Sequence, residues 1–387
     1  MNSSRLKRII AASALGLLAL GFSPAKLAAQ AFVQTNLVSD IPGLAANTDP
    51  RLVNPWGISF APTGPFWVSN AGTGTSTLYN SSGTPQALVV TIPGPGGGAP
   101  AVPTGQVFNS AAGTGAFNGD LFLFASATGT IAGWRGALGT TAETLFNNSA
   151  TGASYLGLAL GSVGGTSTLY AANFGNGRVD AFQGTGAATL PGSFLDPTLP
   201  SGYSPFNIQN IGGSLFVTYA LVGADGFEVP GPGNGFINRF DLSGNLLGRF
   251  ASAGALDAPW GMARAPAGFG QFGGDLLVGN FGDGTINAFD FSTGAFEGTL
   301  RDAAGNPLVN EGLWGLTFGN GGAGGNPNTL YLAAGIDNET HGLFAAVTAV
   351  PEPGTTGLIA GLVLLGGGAA ARIRQRRLSP PNHIPRG

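Results

Sequence analysis

The side chains of this chain best placed to do chemistry are oxygen donors beside a recurring Pro-aromatic-Gly element. Asn54 precedes Pro55-Trp56-Gly57, and Asn207 lies within Pro205-Phe206-Asn207-Ile208. Asp257 comes just before Pro259-Trp260-Gly261, and Asn310 and Glu311 come just before Gly312-Leu313-Trp314-Gly315. Amides and carboxylates are hard ligands, and Ca²⁺ takes roughly 6–8 such oxygens. Converging from several repeats, they would hold a cation that polarises a carbonyl and activates water, with Asp257 or Glu311 as general base. The competing expectation is that they satisfy strand-end backbone groups around a water-filled channel.

Other chemistry is scarce. The chain has no cysteine, which removes thiol catalysis and Cys–zinc sites. His341, in Asn338-Glu339-Thr340-His341-Gly342, has no histidine partner nearby for a zinc site or a catalytic triad, and a solvated turn residue is expected. The stretches Gly94–Gly98 and Gly321–Gly325 lack the Lys-Ser/Thr ending of a phosphate loop and read as connections. Asn70, Asn173 and Asn280 recur at one repeat position, as a structural strand-end residue would. No catalytic residue is assigned.

The elements that must position these residues repeat six times. At the Gly57 position of the anchor the series runs 57, 105, 157, 207, 261, 315, so the period is about fifty residues. A second apolar element follows each anchor, from Phe66-Trp67-Val68-Ser69-Asn70 to Leu330-Tyr331-Leu332-Ala333-Ala334. Asn176-Gly177 and Asp283-Gly284 between alternating apolar residues signal hairpins, where both turn positions favour φ > 0. A fourth, more variable strand is expected in 87–92, 143–147, 246–251 and 297–301. Six sets of four antiparallel strands predict an all-β, six-bladed β-propeller over 32–349, one domain despite its size because each sheet packs on its neighbours. The sixth repeat supplies three strands, and Phe32–Ser39 is expected to add the fourth and close the ring.

The Pro-x-Gly-apolar element, the Tyr-Val-Ala-Asn-like strand and the Gly-Asn turn resemble NHL-type propeller repeats. Calcium-dependent lactonases are similar in using a propeller axis with carboxylate and amide ligands, which implies a Ca²⁺-dependent hydrolase at the channel mouth as one function. The other is a binding module or scaffold whose ligand is a glycan, a small molecule or an envelope protein. Fold alone does not choose between them.

Both ends carry addresses. Arg5, Lys7 and Arg8 precede the apolar run 9–22, and Ala29-Gln30-Ala31 follows, so 1–31 reads as a signal peptide cut by signal peptidase. At the other end Pro351, Glu352 and Pro353 precede the apolar run 355–371, then Arg372, Arg374, Arg376 and Arg377. As a helix that run reaches roughly 25 Å, enough to cross the hydrocarbon core, and the arginines stop transfer on the cytoplasmic side. Residues 350–377 resemble the PEP-CTERM sorting signal, which implies processing by an exosortase and release at the cell surface. The tail 378–387 extends past the arginines, where such signals usually end. Without leader and tail the domain keeps seven arginines, no lysine and 18 acidic residues, a net charge of −11. So acidic a domain is a poor partner for nucleic acid, and its membrane contact is expected only through the two ends. Deleting Pro351–Pro353 is expected to leave unprocessed precursor in the inner membrane, visible as a heavier band in membrane fractions.

Overall fold

A computed structural model describes residues 30–97, 100–184, 190 and 192–350. The expected signal peptide, the sorting motif, the spanning segment 355–371 and the tail lie outside the described residues. Among the described residues no helix is long and apolar enough to cross a membrane.

The chain forms the six-bladed propeller that its period predicts. Blade 1 comprises Pro55–Ser59, Phe66–Asn70, Thr75–Tyr79 and Pro85–Thr91, ordered from the axis outward. The inner strands of blades 2 to 6 are Pro103–Phe108, Tyr155–Val163, Tyr203–Ile211, Pro259–Arg264 and Leu313–Phe318. Blade 3 has three strands among the described residues, one fewer than the four expected of each blade. Phe32–Ser39 pairs antiparallel with Leu343–Ala349, so the N-terminal strand closes the ring as expected, and Asn47–Thr48 adds a short parallel edge outside it. One departure concerns the hairpins. Gly177 and Gly284 take positive φ (66° and 70°), but Asn176 and Asp283 do not, so each turn has one left-handed residue and not two.

The anchor motif has a physical explanation. The innermost strand is an edge strand, where a leading proline removes no ladder hydrogen bond. In every blade the pairing register then shifts at the anchor: between Pro55 and Ile58, Pro103 and Gln106, Tyr155 and Gly157, Pro205 and Asn207, Pro259 and Gly261, and Leu313 and Leu316. Such a bulge bends the strand and re-aims the side chain at that point. The glycine that follows permits close approach. A Cβ on Gly57 would lie 2.6 Å from Thr104 O, and one on Gly105 would lie 2.8 Å from Gly157 Cα. On Gly261 and Gly315 it would collide with Trp314 O and Trp56 O.

Side chains lace the inner strands together. Gln106 Nε2 donates to Gly57 O (2.7 Å) and Trp67 O (2.6 Å), and Thr104 Oγ1 donates to Tyr155 O (2.6 Å). Asn70, Asn173 and Asn280 are fully buried at strand ends. Their amides donate to Thr77 Oγ1, Asp180 Oδ2 and Ala255 O, a structural role. Replacing Gly315 with Ala forces backbone apart at the ring and should cost about 1–3 kcal/mol, measured as a lower denaturation midpoint. The same change at Gly164, an exposed turn glycine with no heavy atom near its would-be Cβ, serves as the control that reports only its φ of 57°.

Candidate functional site

The bulged anchor residues meet on the axis and close one mouth of the channel. Trp56, Leu156, Phe206, Trp260 and Trp314 pack with Phe174 in one buried cluster. Trp56 of blade 1 and Trp260 of blade 5 touch edge-to-face at 5.8 Å, and Trp314 of blade 6 meets Phe206 of blade 4 at 5.7 Å. These blades are not neighbours, so the rings meet only by crossing the axis. Trp56 also stacks on Trp314. The mouth expected to be water-filled is an aromatic plug.

The five expected metal ligands surround this plug without forming a shared set. Asn54 takes a positive φ of 46° and accepts a hydrogen bond from Trp56 Nε1 (3.0 Å). Asn207 Nδ2 donates to Trp260 O (2.7 Å), and its Oδ1 accepts from Ile208 N. Asp257 Oδ1 accepts from Gly231 N (2.6 Å), and burial raises its carboxyl pKa. Asn310 and Gln34 exchange reciprocal amide bonds of 2.8 and 3.0 Å. Glu311 Oε1 accepts from Asn338 N (2.8 Å). Among the described residues no group of three or more His, Cys, Asp or Glu is arranged to hold a metal. His341 is not merely solvated: its Nδ1 lies 2.6 Å from Asp40 Oδ2.

The opposite end of the axis is open. Beyond the glycine ring, whose throat encloses about 20 Å³, the inner strands diverge into a funnel of about 460 Å³ lined by all six blades. That volume lies in the range of small-molecule pockets. Its walls include Phe60, Phe108, Met262 and Phe318, and its polar groups include Ser59, Gln106, Gln209 and Arg264. Ser59 Oγ, Gln106 Oε1 and Gln209 Oε1 are buried atoms without a protein partner. Gln106 is only 6% exposed. Its orientation is fixed, because flipping the amide would set its oxygen against the two carbonyls that its nitrogen now serves. Gln106 Oε1 is therefore a committed acceptor at the funnel base. The sequence carried one sign of it: where five anchors continue with Ile58, Leu158, Ile208, Met262 and Leu316, the second has glutamine.

A second cavity, about 450 Å³, opens on the plugged face between blades 5 and 6, with Asp283, Glu311 and Glu339 on its wall. Glu339 follows two other residues in left-handed backbone (φ 55°, 53° and 63° for Asp337 to Glu339) and accepts from Trp314 Nε1 at 3.2 Å. Burial raises its pKa, and burial together with Glu339 and Asp225 pushes Glu228 up to about 7. A carboxyl with a raised folded pKa keeps its proton where the unfolded chain has lost it, so it contributes stability below the ordinary carboxylate range that is lost as pH rises toward 7. His341, raised by its hydrogen bond to Asp40, likewise loses its contribution as pH rises through its folded pKa. The thermal midpoint should fall by a few degrees between pH 5 and pH 8, and Glu228→Gln should flatten part of that slope.

No protein-family model matches the chain. It is 32% identical over 329 residues to uncharacterized protein R648 of Acanthamoeba polyphaga mimivirus, covering 80% of this chain and 78% of that protein. It is 33% identical over 330 residues to uncharacterized protein L690 of the same virus, covering 80% and 84%. Among solved structures it is similar to virginiamycin B lyase from Staphylococcus aureus, with 15% identity, TM-score 0.46 and coverage of 82% and 99%. The propeller described here belongs to one protein family with the mimivirus proteins R648 and L690.

Proposed function

We propose that this protein is an exported binding module that receives a small ligand in the axial funnel. The observation that carries this is Gln106: a buried amide locked by two backbone carbonyls, with its free oxygen at the base of a 460 Å³ cavity. A buried acceptor without a partner is costly, and a ligand donor would relieve that cost. The wall supports binding over turnover, since the described residues lining it include no carboxylate or imidazole to move a proton. Ligands with hydroxyl donors and an apolar face fit this lining, a glycan among them. The basic–apolar leader and the Pro-Glu-Pro tail support delivery to the cell surface by signal peptidase and an exosortase.

The test uses Gln209→Leu, which removes a funnel acceptor that has no protein partner to lose. Ligands found by ligand-detected NMR with a saccharide library should bind the variant about 2- to 10-fold more weakly, with the thermal midpoint unchanged. A ligand that binds both proteins equally, and whose contacts map to another surface, would overturn the funnel assignment.

A further inference from the structure

Eighteen acidic residues accompany seven arginines in this domain, yet among the described residues three of the seven have no carboxylate within ion-pairing distance. Four of the seven are ion-paired: Arg51 with Asp49, Arg135 with Asp120 and Glu143, Arg178 with Asp180, and Arg249 with Asp196. Arg301 donates to Gly305 O. Arg239 and Arg264 instead lie over Phe216 and Phe291. Of these two only Arg264 lines the funnel, where it is exposed and its Cζ sits 4.0 Å from the Phe291 ring centroid. Stacking occupies the face of a guanidinium and leaves its edge donors free, and that planar fork matches an oxyanion.

The funnel therefore has two chemistries. Amide and hydroxyl oxygens without protein partners belong to Gln106, Gln209 and Ser59, and among the described lining residues the only formal charge is positive. We propose that the ligand is a hydroxylated monocarboxylate of the sugar-acid type, its hydroxyls donating to Gln106 Oε1 and Gln209 Oε1 and its carboxylate held by Arg264. One guanidinium balances a single negative charge. A phosphate dianion would bring a second charge into a domain of net −11, and the described lining residues offer no further cation. Charge also explains why the arginine is needed: without it the domain's field would repel any acidic sugar.

This inference rests on the funnel being the ligand site, and the experiment separates the two. Titration calorimetry of the purified protein would use D-glucuronate and D-galacturonate, with D-glucose, methyl glucuronate ester and glucose 1-phosphate as comparisons. Uronates should bind best. Arg264→Ala should weaken them about 10- to 100-fold, and Arg264→Lys should recover part of the loss. Raised salt should weaken the uronates and leave the neutral ester unaffected. If neutral sugars bind as tightly as uronates and Arg264→Ala changes nothing while Gln209→Leu still weakens binding, the acidic-sugar inference falls and the funnel stands. Tighter binding of the sugar phosphate would overturn the carboxylate assignment alone. If uronates do not bind, or bind without sensitivity to either Arg264→Ala or Gln209→Leu, the inference is overturned, and insensitivity to both removes the funnel reading with it.

Discussion

Six inner strands approach one another around the axis so closely that Cβ atoms cannot be inserted at most anchor positions. This backbone-against-backbone ring governs the rest of the molecule. It explains why glycine recurs at 57, 105, 157, 261 and 315, and why the throat has room for about one water. Blade 4 places Asn207 at the same position. Its side chain reaches across and donates to Trp260 O, so the one non-glycine member becomes a bridge to the next blade.

The ring also divides the axis into two unlike ends. On one side the anchor bulges turn three tryptophans and a phenylalanine inward, and they seal the mouth as a buried aromatic plug. On the other side the strands diverge past the ring and leave the funnel open. Around the sealed mouth Asn54 and Glu339 accept the indole N–H groups of Trp56 and Trp314. The funnel wall carries no acid among the described residues. Aromatic packing thus decides which end of the axis is closed and which stays open.

Much of the architecture was legible in the sequence because its causes are local. Period-two alternation, turn glycines and the fifty-residue spacing each act within a few neighbours, so the number of blades, strand order and the closing strand Phe32–Ser39 could be read directly. The candidate site was less legible. Asn54, Asp257, Asn310 and Glu311 stood at the right mouth for an axial metal, yet each has an oxygen engaged within its own surroundings by Trp56, Gly231, Gln34 or Asn338. In the sequence Gln106 simply stands where the other anchors carry an apolar residue. Its role as an acceptor depends on two carbonyls of blade 1, 39 and 49 residues away.

By itself, then, the sequence determined the all-β repeat, the six blades and their closure, and the acidity of the domain once its basic ends are set aside. These follow from periodicity and composition, which need no knowledge of who touches whom. Only the tertiary structure decided which end of the axis is sealed, which oxygens lack partners and which arginines lack a carboxylate. Those properties arise where six blades meet on one axis, and no window of neighbouring residues contains that meeting.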